Sequence, residues 1–311
     1  MAAANPPSPA RRRRHQAKAR YYFVDMDRCP VHVARVESED SASPGSSHPH
    51  DLTEVEHDHD FDELVIVTGG RAIHHMHGRA FDVRVGDVYL LDRSDRHFFS
   101  QRQRLSLLNV MYDPARLGLP IDRLRQMPGF HALFVLEPLN RGRHRLQGKL
   151  YLPPAELRPI VEIAERIEQE VLQRSPGYEA MAMAKVHELI ISLARRYDGR
   201  TSRQAEALLR LGHVLGRMHQ QFDESLSLED LAREAHMSVS NFVRRFQKAT
   251  GLPPMRYLSQ IRLDEARRLL GVTDLSVSQI SQRCGYYDGN HLARAFRRQF
   301  GQSPRQFRGG A

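Results

Sequence analysis

Apolar positions in the last third of the chain form two helical patterns that repeat each other. The segment 231–254 recurs about fifty residues later as 280–304. Equivalent positions are 49 residues apart from Ser227 and Ser276 onward and 50 apart from Phe242 and Leu292 onward, so the second copy has one extra residue in its turn. Each copy predicts a serine-capped helix, a short turn and a second helix. This is the helix-turn-helix pattern, with units at about 227–250 and 276–300.

The second helix of each copy has an apolar stripe and an opposite polar face. Phe242 and Phe246 define the stripe in the first copy, and Leu292 and Phe296 define it in the second. The polar sides carry Ser240, Arg244, Arg245, Gln247 and Lys248 in the first copy and Asn290, His291, Arg294, Arg297 and Arg298 in the second. The alternative, an ordinary solvated helix face, is weakened because the same phase occurs twice.

These polar side chains predict two kinds of contact with double-stranded DNA. Arginine pairs with guanine edges and asparagine with adenine, so we expect base contacts from Ser240, Arg244, Asn290 and Arg294. We expect phosphate contacts, which set register and salt dependence, from Arg245, Lys248, Arg297 and Arg298.

The distribution of charge supports this assignment. Residues 207–311 have 16 Lys and Arg against 9 Asp and Glu, whereas residues 21–206 have 24 against 28. Residues 1–20 add six positive charges and predict a disordered basic arm, which either touches DNA non-specifically or only solvates the terminus. Because no apolar core follows its arginines, we do not expect this arm to be a secretory signal. The absence of any long apolar stretch and the presence of only two cysteines predict a cytoplasmic protein that does not span a membrane.

The N-terminal half predicts a small antiparallel barrel or sandwich. Short apolar runs at 64–67, 81–85, 88–91 and 105–110 are separated by glycines, including Gly69-Gly70. Two helical patterns follow within 155–197, and their apolar stripes predict packing on the barrel or on a second subunit, from which we expect a homodimer. The polar run at 198–204 indicates a linker.

The whole chain is therefore predicted as a two-domain α+β protein. A barrel domain spans 21–197, a linker 198–206, and an all-helical domain with two helix-turn-helix units 207–311. The length of 311 residues and the hydrophobic content of 41% are sufficient for two cores.

One polar constellation in the barrel could carry chemistry: His57, His59, Glu63 and His97. Three imidazoles and a carboxylate can bind a divalent transition metal. They can equally bind the hydroxyl groups of a polyol, or hydrogen-bond one another as part of the structure. The nearby cluster His74, His75 and His77 is assigned no role, because adjacent residues of a strand point to opposite faces.

The C-terminal motifs resemble the DNA-binding domain of AraC-family transcription regulators. The resemblance lies in Cys284-Gly-Tyr-Tyr-Asp288, in 292–298, in Phe300-Gly-Gln-Ser-Pro304 and in Phe307-Arg308. His236 departs from it, since a turn glycine is frequent at that position. The resemblance implies two helix-turn-helix units, joined by a helix at 261–270, that read adjacent major-groove segments.

The N-terminal motifs are similar to the cupin-type sensor of the rhamnose-regulator subgroup. They are 57–67, Asp92-Arg-Ser-Asp-Arg-His97, 109–112 and 128–130. Asp92 and Ser94 replace the Pro and Gly usual in cupin enzymes. The resemblance implies a regulator, expected to be an activator and not an enzyme. It would act with RNA polymerase, use no cofactor and respond to a small effector such as a sugar at His57, His59, Glu63 and His97. The alternative is a metal-binding cupin enzyme or metal sensor fused to a DNA-binding domain.

Overall fold

The computed structural model describes residues 15–18, 22–23, 28–37, 51, 53–93, 95–140, 149–197 and 203–309. The chain divides into two compact units. The first comprises Met1–Pro120 and Asn140–Arg196, and the second comprises Ile121–Leu139 and Tyr197–Ala311. The basic arm predicted at 1–20 lies outside the described residues except for 15–18.

The first unit is built on a sheet that is antiparallel apart from one strand pair. Its strands are β1 (His15–Ala17), β2 (Val31–Glu37), β3 (His57–His59), β4 (Asp62–Met76), β5 (Arg79–Arg84), β6 (Asp87–Leu91), β7 (His97–Tyr112) and β8 (Lys149–Tyr151). The main order is β1-β3-β7-β4-β6-β8, while β2 pairs with β7 and β5 with β4. The parallel pair is β1 with β3. This corrects the prediction of disorder for residues 15–17, which extend the sheet at the edge of β3.

The glycines at 69–70 do not end a strand as the sequence indicated. Strand β4 continues through them, and its register against β7 shifts at Val67/Gly69 and at Gly69/Arg71. Gly70 has a φ of 67°, and a Cβ there would lie 2.0 Å from the carbonyl oxygen of Arg104. The glycines therefore permit a bulge within one long strand instead of ending it.

The helices follow the predicted patterns, and several are longer. In the first unit they are α4 (Pro154–Gln173) and α5 (Tyr178–Arg196). In the second unit they are α1 (Ile121–Leu124), α2 (Pro128–Phe130), a π-helix (His131–Leu136), α3 (Glu137–Asn140, whose last residue falls in the first unit), α6 (Arg203–Gln220), α7 (Leu228–Glu234), α8 (Val239–Thr250), α9 (Pro254–Val272), α10 (Val277–Arg283), α11 (Gly289–Phe300) and α12 (Pro304–Gly309). None of the helices described is long and apolar enough to cross a membrane.

Helices α4 and α5 bury the apolar stripes that the sequence indicated. Ile160 and Ile167 of α4 and Val186 and Leu189 of α5 are fully buried. On the sheet side, Arg35 of β2 donates two hydrogen bonds to the carboxylate of Glu168 on α4, at 2.7 and 2.9 Å. This fork-to-carboxylate pair fixes the helix against the sheet.

The second unit contains a segment that the sequence assigned to the barrel domain. Residues 121–139, which lie between β7 and β8 in the chain, pack on α6. Contact is close because Gly212 and Gly216 present bare backbone to this segment, and a Cβ on Gly212 would lie 2.4 Å from the carbonyl oxygen of Pro128. The predicted linker 198–206 is also shortened, because α6 already begins at Arg203.

Candidate nucleic-acid interface and ligand site

Both helix-turn-helix units present the polar faces that the sequence predicted. The stripes of Phe242 and Phe246 on α8 and of Leu292 and Phe296 on α11 are fully buried. The ten predicted DNA-contacting residues are all exposed: Ser240, Arg244, Arg245, Gln247, Lys248, Asn290, His291, Arg294, Arg297 and Arg298. The amphipathic period therefore fixed correctly which side of each helix faces solvent.

The helix starts agree with the predicted caps. The Ser227 hydroxyl accepts a hydrogen bond from the Asp230 amide at 3.1 Å, and Ser276 forms a reciprocal capping box with Gln279. Helix α11 is capped by the Asp288 carboxylate, which accepts from the His291 amide at 2.6 Å. These bonds satisfy amide groups that have no partner within the helix.

The turns of the two helix-turn-helix units share a left-handed residue and an equivalent backbone hydrogen bond although their sequences differ. His236 in the first turn has a φ of 55°, and Gly285 in the second has 69°. The amide of Met237 bonds to the carbonyl of Ala232, which repeats the bond from Tyr286 to Ser281. His236 therefore occupies a left-handed conformation without the freedom of glycine. The extra residue of the second copy lies after this bend, between Tyr286 and α11.

In the first unit, the predicted histidines and Glu63 converge on one buried site. On β3, His57 and His59 are both buried on either side of Asp58, which is only partly buried. His97, the first residue of β7, pairs with His57. Nε2 of His59 lies 3.1 Å from Nε2 of His97 and 3.3 Å from Oε2 of Glu63. All four side chains are at most 1% exposed. The spacing in sequence thus predicted a real cluster.

Further polar residues of this site escaped the sequence reasoning. His74, which was assigned no role, is fully buried, and its Nε2 lies 3.2 Å from Nδ1 of His97. Its ring stacks on Phe99 at 4.6 Å. Simple alternation from Glu63 would place His75 on the inner face, but the register shifts at the 69–70 bulge bring His74 inward instead, while His75 is half-buried and bonds Ser100.

A second carboxylate borders the cluster. Asp51 is fully buried, accepts a hydrogen bond from the amide of Asn109 at 2.7 Å and lies 3.7 Å from Nε2 of His57. Burial, together with the negative charges of Glu63 and Asp51, raises the pKa of Tyr22. Asp51 precedes the cluster in a polar stretch without periodicity, so only the tertiary structure reveals it. The site is therefore acidic as well as imidazole-rich.

The cluster also has the geometry of a metal-binding group. One nitrogen from each of His57, His59 and His97 can be chosen so that all three lie within 4.8 Å of one another. With Glu63 beside them, these donors fit a divalent transition metal such as zinc or manganese. Nδ1 of His97 faces His74, an arrangement that would orient the ring of a ligating histidine.

The fold and these sites together define a two-domain DNA-binding regulator with a buried polar site. Residues 46–238 match the family described as AraC-like ligand binding domain, and residues 231–310 match the helix-turn-helix domain. The chain therefore belongs to the AraC family of transcription regulators.

Curated relatives are similar over most of their length. The transcriptional activator RhaS of Escherichia fergusonii is 33% identical over 82% of this chain and 87% of its own. The activator RhaR of Enterobacter sp. (strain 638) is 30% identical over 82% of this chain and 86% of its own. Among solved structures, the DNA-binding domain of AdpA in complex with a target DNA is 37% identical, covering 32% of this chain and 91% of that chain, with a TM-score of 0.32.

Proposed function

We propose that this protein is a transcription activator that binds two adjacent major-groove segments through α8 and α11. The observation that carries the proposal is the exposed polar face that both helices present above buried aromatic stripes. Successive grooves on one side of a duplex are about 34 Å apart, so the operator holds two short boxes roughly 10 base pairs apart. The similarity to RhaS and RhaR supports activation, and with it contact with RNA polymerase in the cytoplasm.

Footprinting of the full-length protein on genomic DNA tests this function. We expect protection of two boxes on one side of the duplex, and loss of about 1–3 kcal/mol of specific binding for Arg244→Ala or Arg294→Ala. Arg174→Ala is a matched control, since this residue lies in the first unit at the end of α4. Unchanged operator affinity in both recognition-helix variants would refute the assigned faces.

For the first unit, we propose that the buried cluster binds a small polyol such as a monosaccharide. Imidazole and carboxylate groups together donate and accept hydrogen bonds, as sugar hydroxyls require, and Phe61 and Phe99 give the site apolar walls. The role is regulatory rather than catalytic. A thermal-shift screen of neutral monosaccharides, beginning with L-rhamnose, should identify a stabilising ligand whose effect is lost in Glu63→Gln. Absence of any stabilising monosaccharide would overturn this assignment.

A metal is a second candidate ligand, because three imidazole nitrogens lie within 4.8 Å of one another beside Glu63. His57, His59, His97 and Glu63 would hold it, and it would supply a charge that polarises a bound effector. Elemental analysis of the purified protein separates the candidates. A stoichiometric metal that is lost in His97→Ala supports the metal sensor, and its absence after growth in supplemented medium removes it.

Segment 121–139 offers a route from effector to DNA. The chain passes from the first unit to the second before Ile121 and returns after Leu139, and between these points it is bound to α6. We propose that effector binding in the first unit changes how segment 121–139 is held against α6. This change would shift the second unit between two conformations that differ in operator affinity. Gly212→Ala, which pushes the segment away, should reduce the effect of an identified effector on operator affinity while leaving effector affinity unchanged.

The two long helices of the first unit support a dimer. Leu172 near the end of α4 is 73% exposed and Met181 near the start of α5 is 48% exposed. We propose that a second copy covers them, since a regulator gains affinity and site length by dimerising. Leu172→Glu should shift the protein toward monomer in sedimentation velocity, whereas Glu162→Gln on the exposed side of α4 should not.

A further inference from the structure

Three stretches of the second unit meet around the guanidinium group of Arg262. Arg262 lies on α9, the helix that joins the two helix-turn-helix units. Its Nε donates to the carbonyl oxygen of Phe222 at 2.6 Å, and its Nη2 donates to that of Glu224 at 2.7 Å. Both carbonyls belong to the loop between α6 and α7, so Arg262 holds the loop that leads into the first helix-turn-helix unit.

The turn of the second helix-turn-helix unit lies against the same guanidinium group. A Cβ on Gly285 would stand 3.0 Å from Nη2 of Arg262 and 2.7 Å from the carbonyl oxygen of Asp223. Gly285 is therefore required for close approach as well as for its φ of 69°. Burial lowers the pKa of Arg262, which agrees with a guanidinium enclosed between these elements.

The chemistry of this junction depends on arginine in particular. A planar guanidinium donates in two fixed directions at once, so it can bond Phe222 and Glu224 while its edge faces Gly285. A lysine ammonium is a single point on a flexible stem and cannot hold both carbonyls in the same geometry. Replacement by lysine thus keeps the positive charge and removes the two-point attachment.

We propose that Arg262 is a positioning residue that fixes the orientation of α8 relative to α11 and thereby sets the spacing between the two DNA boxes. This inference rests on the proposed two-box operator. When two reading helices are held rigidly, binding of one presents the other to its box at high effective concentration. If the junction loosens, each helix still binds its own box, but the advantage of binding both is reduced and tolerance of altered spacing increases.

The test uses full-length protein and the duplex that the wild-type chain enriches from a random-sequence library. Three kinds of probe are compared: the two-box duplex, the two duplexes in which one box is scrambled, and duplexes whose spacer is changed by one or two base pairs. The variants are Arg262→Lys and Arg262→Met. Arg268→Met on the same helix is the control, because Arg268 pairs with Glu265 one turn away.

We expect Arg262→Lys to bind the two-box probe roughly ten-fold more weakly and one-box probes within about two-fold of wild type, with a flatter dependence on spacer length. Arg268→Met should keep the wild-type spacer preference. An equal loss on one-box and two-box probes, or no loss on either, would overturn the role of Arg262. Equal wild-type affinity for one-box and two-box probes would instead refute the two-box operator itself. If Arg262→Met does not fold, Arg262→Lys decides the outcome.

Discussion

Replacement of Gly212 by alanine tests whether segment 121–139 is bound to α6 as the structure shows. A Cβ at this position would lie 2.4 Å from the carbonyl oxygen of Pro128, 3.2 Å from its carbonyl carbon and 3.4 Å from the amide nitrogen of Ala132. All three are backbone atoms, so no side-chain rotation relieves the clash. The segment and the helix must move apart in the variant.

The magnitude follows from two opposing terms. Overpacking of a close contact costs about 1–3 kcal/mol, whereas alanine gains about 0.8–1.0 kcal/mol over glycine in a helix. Alanine stabilises α6 equally whether segment 121–139 is attached or detached. The free energy needed to detach the segment therefore falls by the full cost of overpacking. Gly271→Ala in α9 is the matched control, because nothing lies within 4 Å of a Cβ there and only the helix gain remains.

Hydrogen–deuterium exchange of the full-length protein measures this detachment. Exchange in peptides that cover 121–139 should become about 5- to 150-fold faster in Gly212→Ala, as 1–3 kcal/mol requires. The same peptides should be unchanged in Gly271→Ala. If Gly212→Ala leaves exchange in 121–139 at the wild-type rate, the close contact with Pro128 does not exist in solution and the coupling route through this segment is wrong.

Three further predictions concern the second unit. His236→Gly should raise the free energy of unfolding in urea by up to about 1.5 kcal/mol, because the left-handed turn costs a non-glycine residue about 1–2 kcal/mol and glycine loses about 0.5–1 kcal/mol in entropy. Gly285→Ala should lower it. Burial lowers the pKa of His219 to about 3, so the unfolded state binds more protons than the folded state between about pH 6.5 and 3. The free energy of unfolding should therefore fall as the pH drops through this range, and His219→Gln should flatten this loss. Lys248→Ala should weaken binding to all DNA sequences alike and reduce the slope of log affinity against log salt by about 0.9, and a change in sequence preference would contradict a phosphate contact.

Much of the DNA-binding unit could be predicted from the sequence because its information is local. Helix period, capping serines and the repeated spacing identified α7, α8, α10 and α11 and the exposed side of each recognition helix. The burial of Phe242 and Phe296 alone determines where the basic residues point. The conformation of the first turn was not predictable, because His236 adopts a left-handed φ that its residue type disfavours.

The ligand site was predicted only in part. His57, His59, Glu63 and His97 belong to recognisable spacings on adjacent strands, and the structure brings them together. Asp51 was missed because its segment has no periodic pattern from which its position beside His57 could be predicted. His74 was missed because the glycine bulge at 69–70 changes which alternate residues of β4 face inward, and the sequence does not show this change.

By itself, the sequence determined the α+β class, the two helix-turn-helix units and the residues on their outer faces, since short-range periodicity controls all of these. Only the tertiary structure decided which compact unit residues 121–139 join and how Arg262 bonds the loop that leads into the first helix-turn-helix unit. Both depend on contacts between residues far apart in the chain, where bare glycine backbone meets a carbonyl oxygen or a guanidinium spans two loop carbonyls. Such contacts leave no periodic trace in the order of the amino acids.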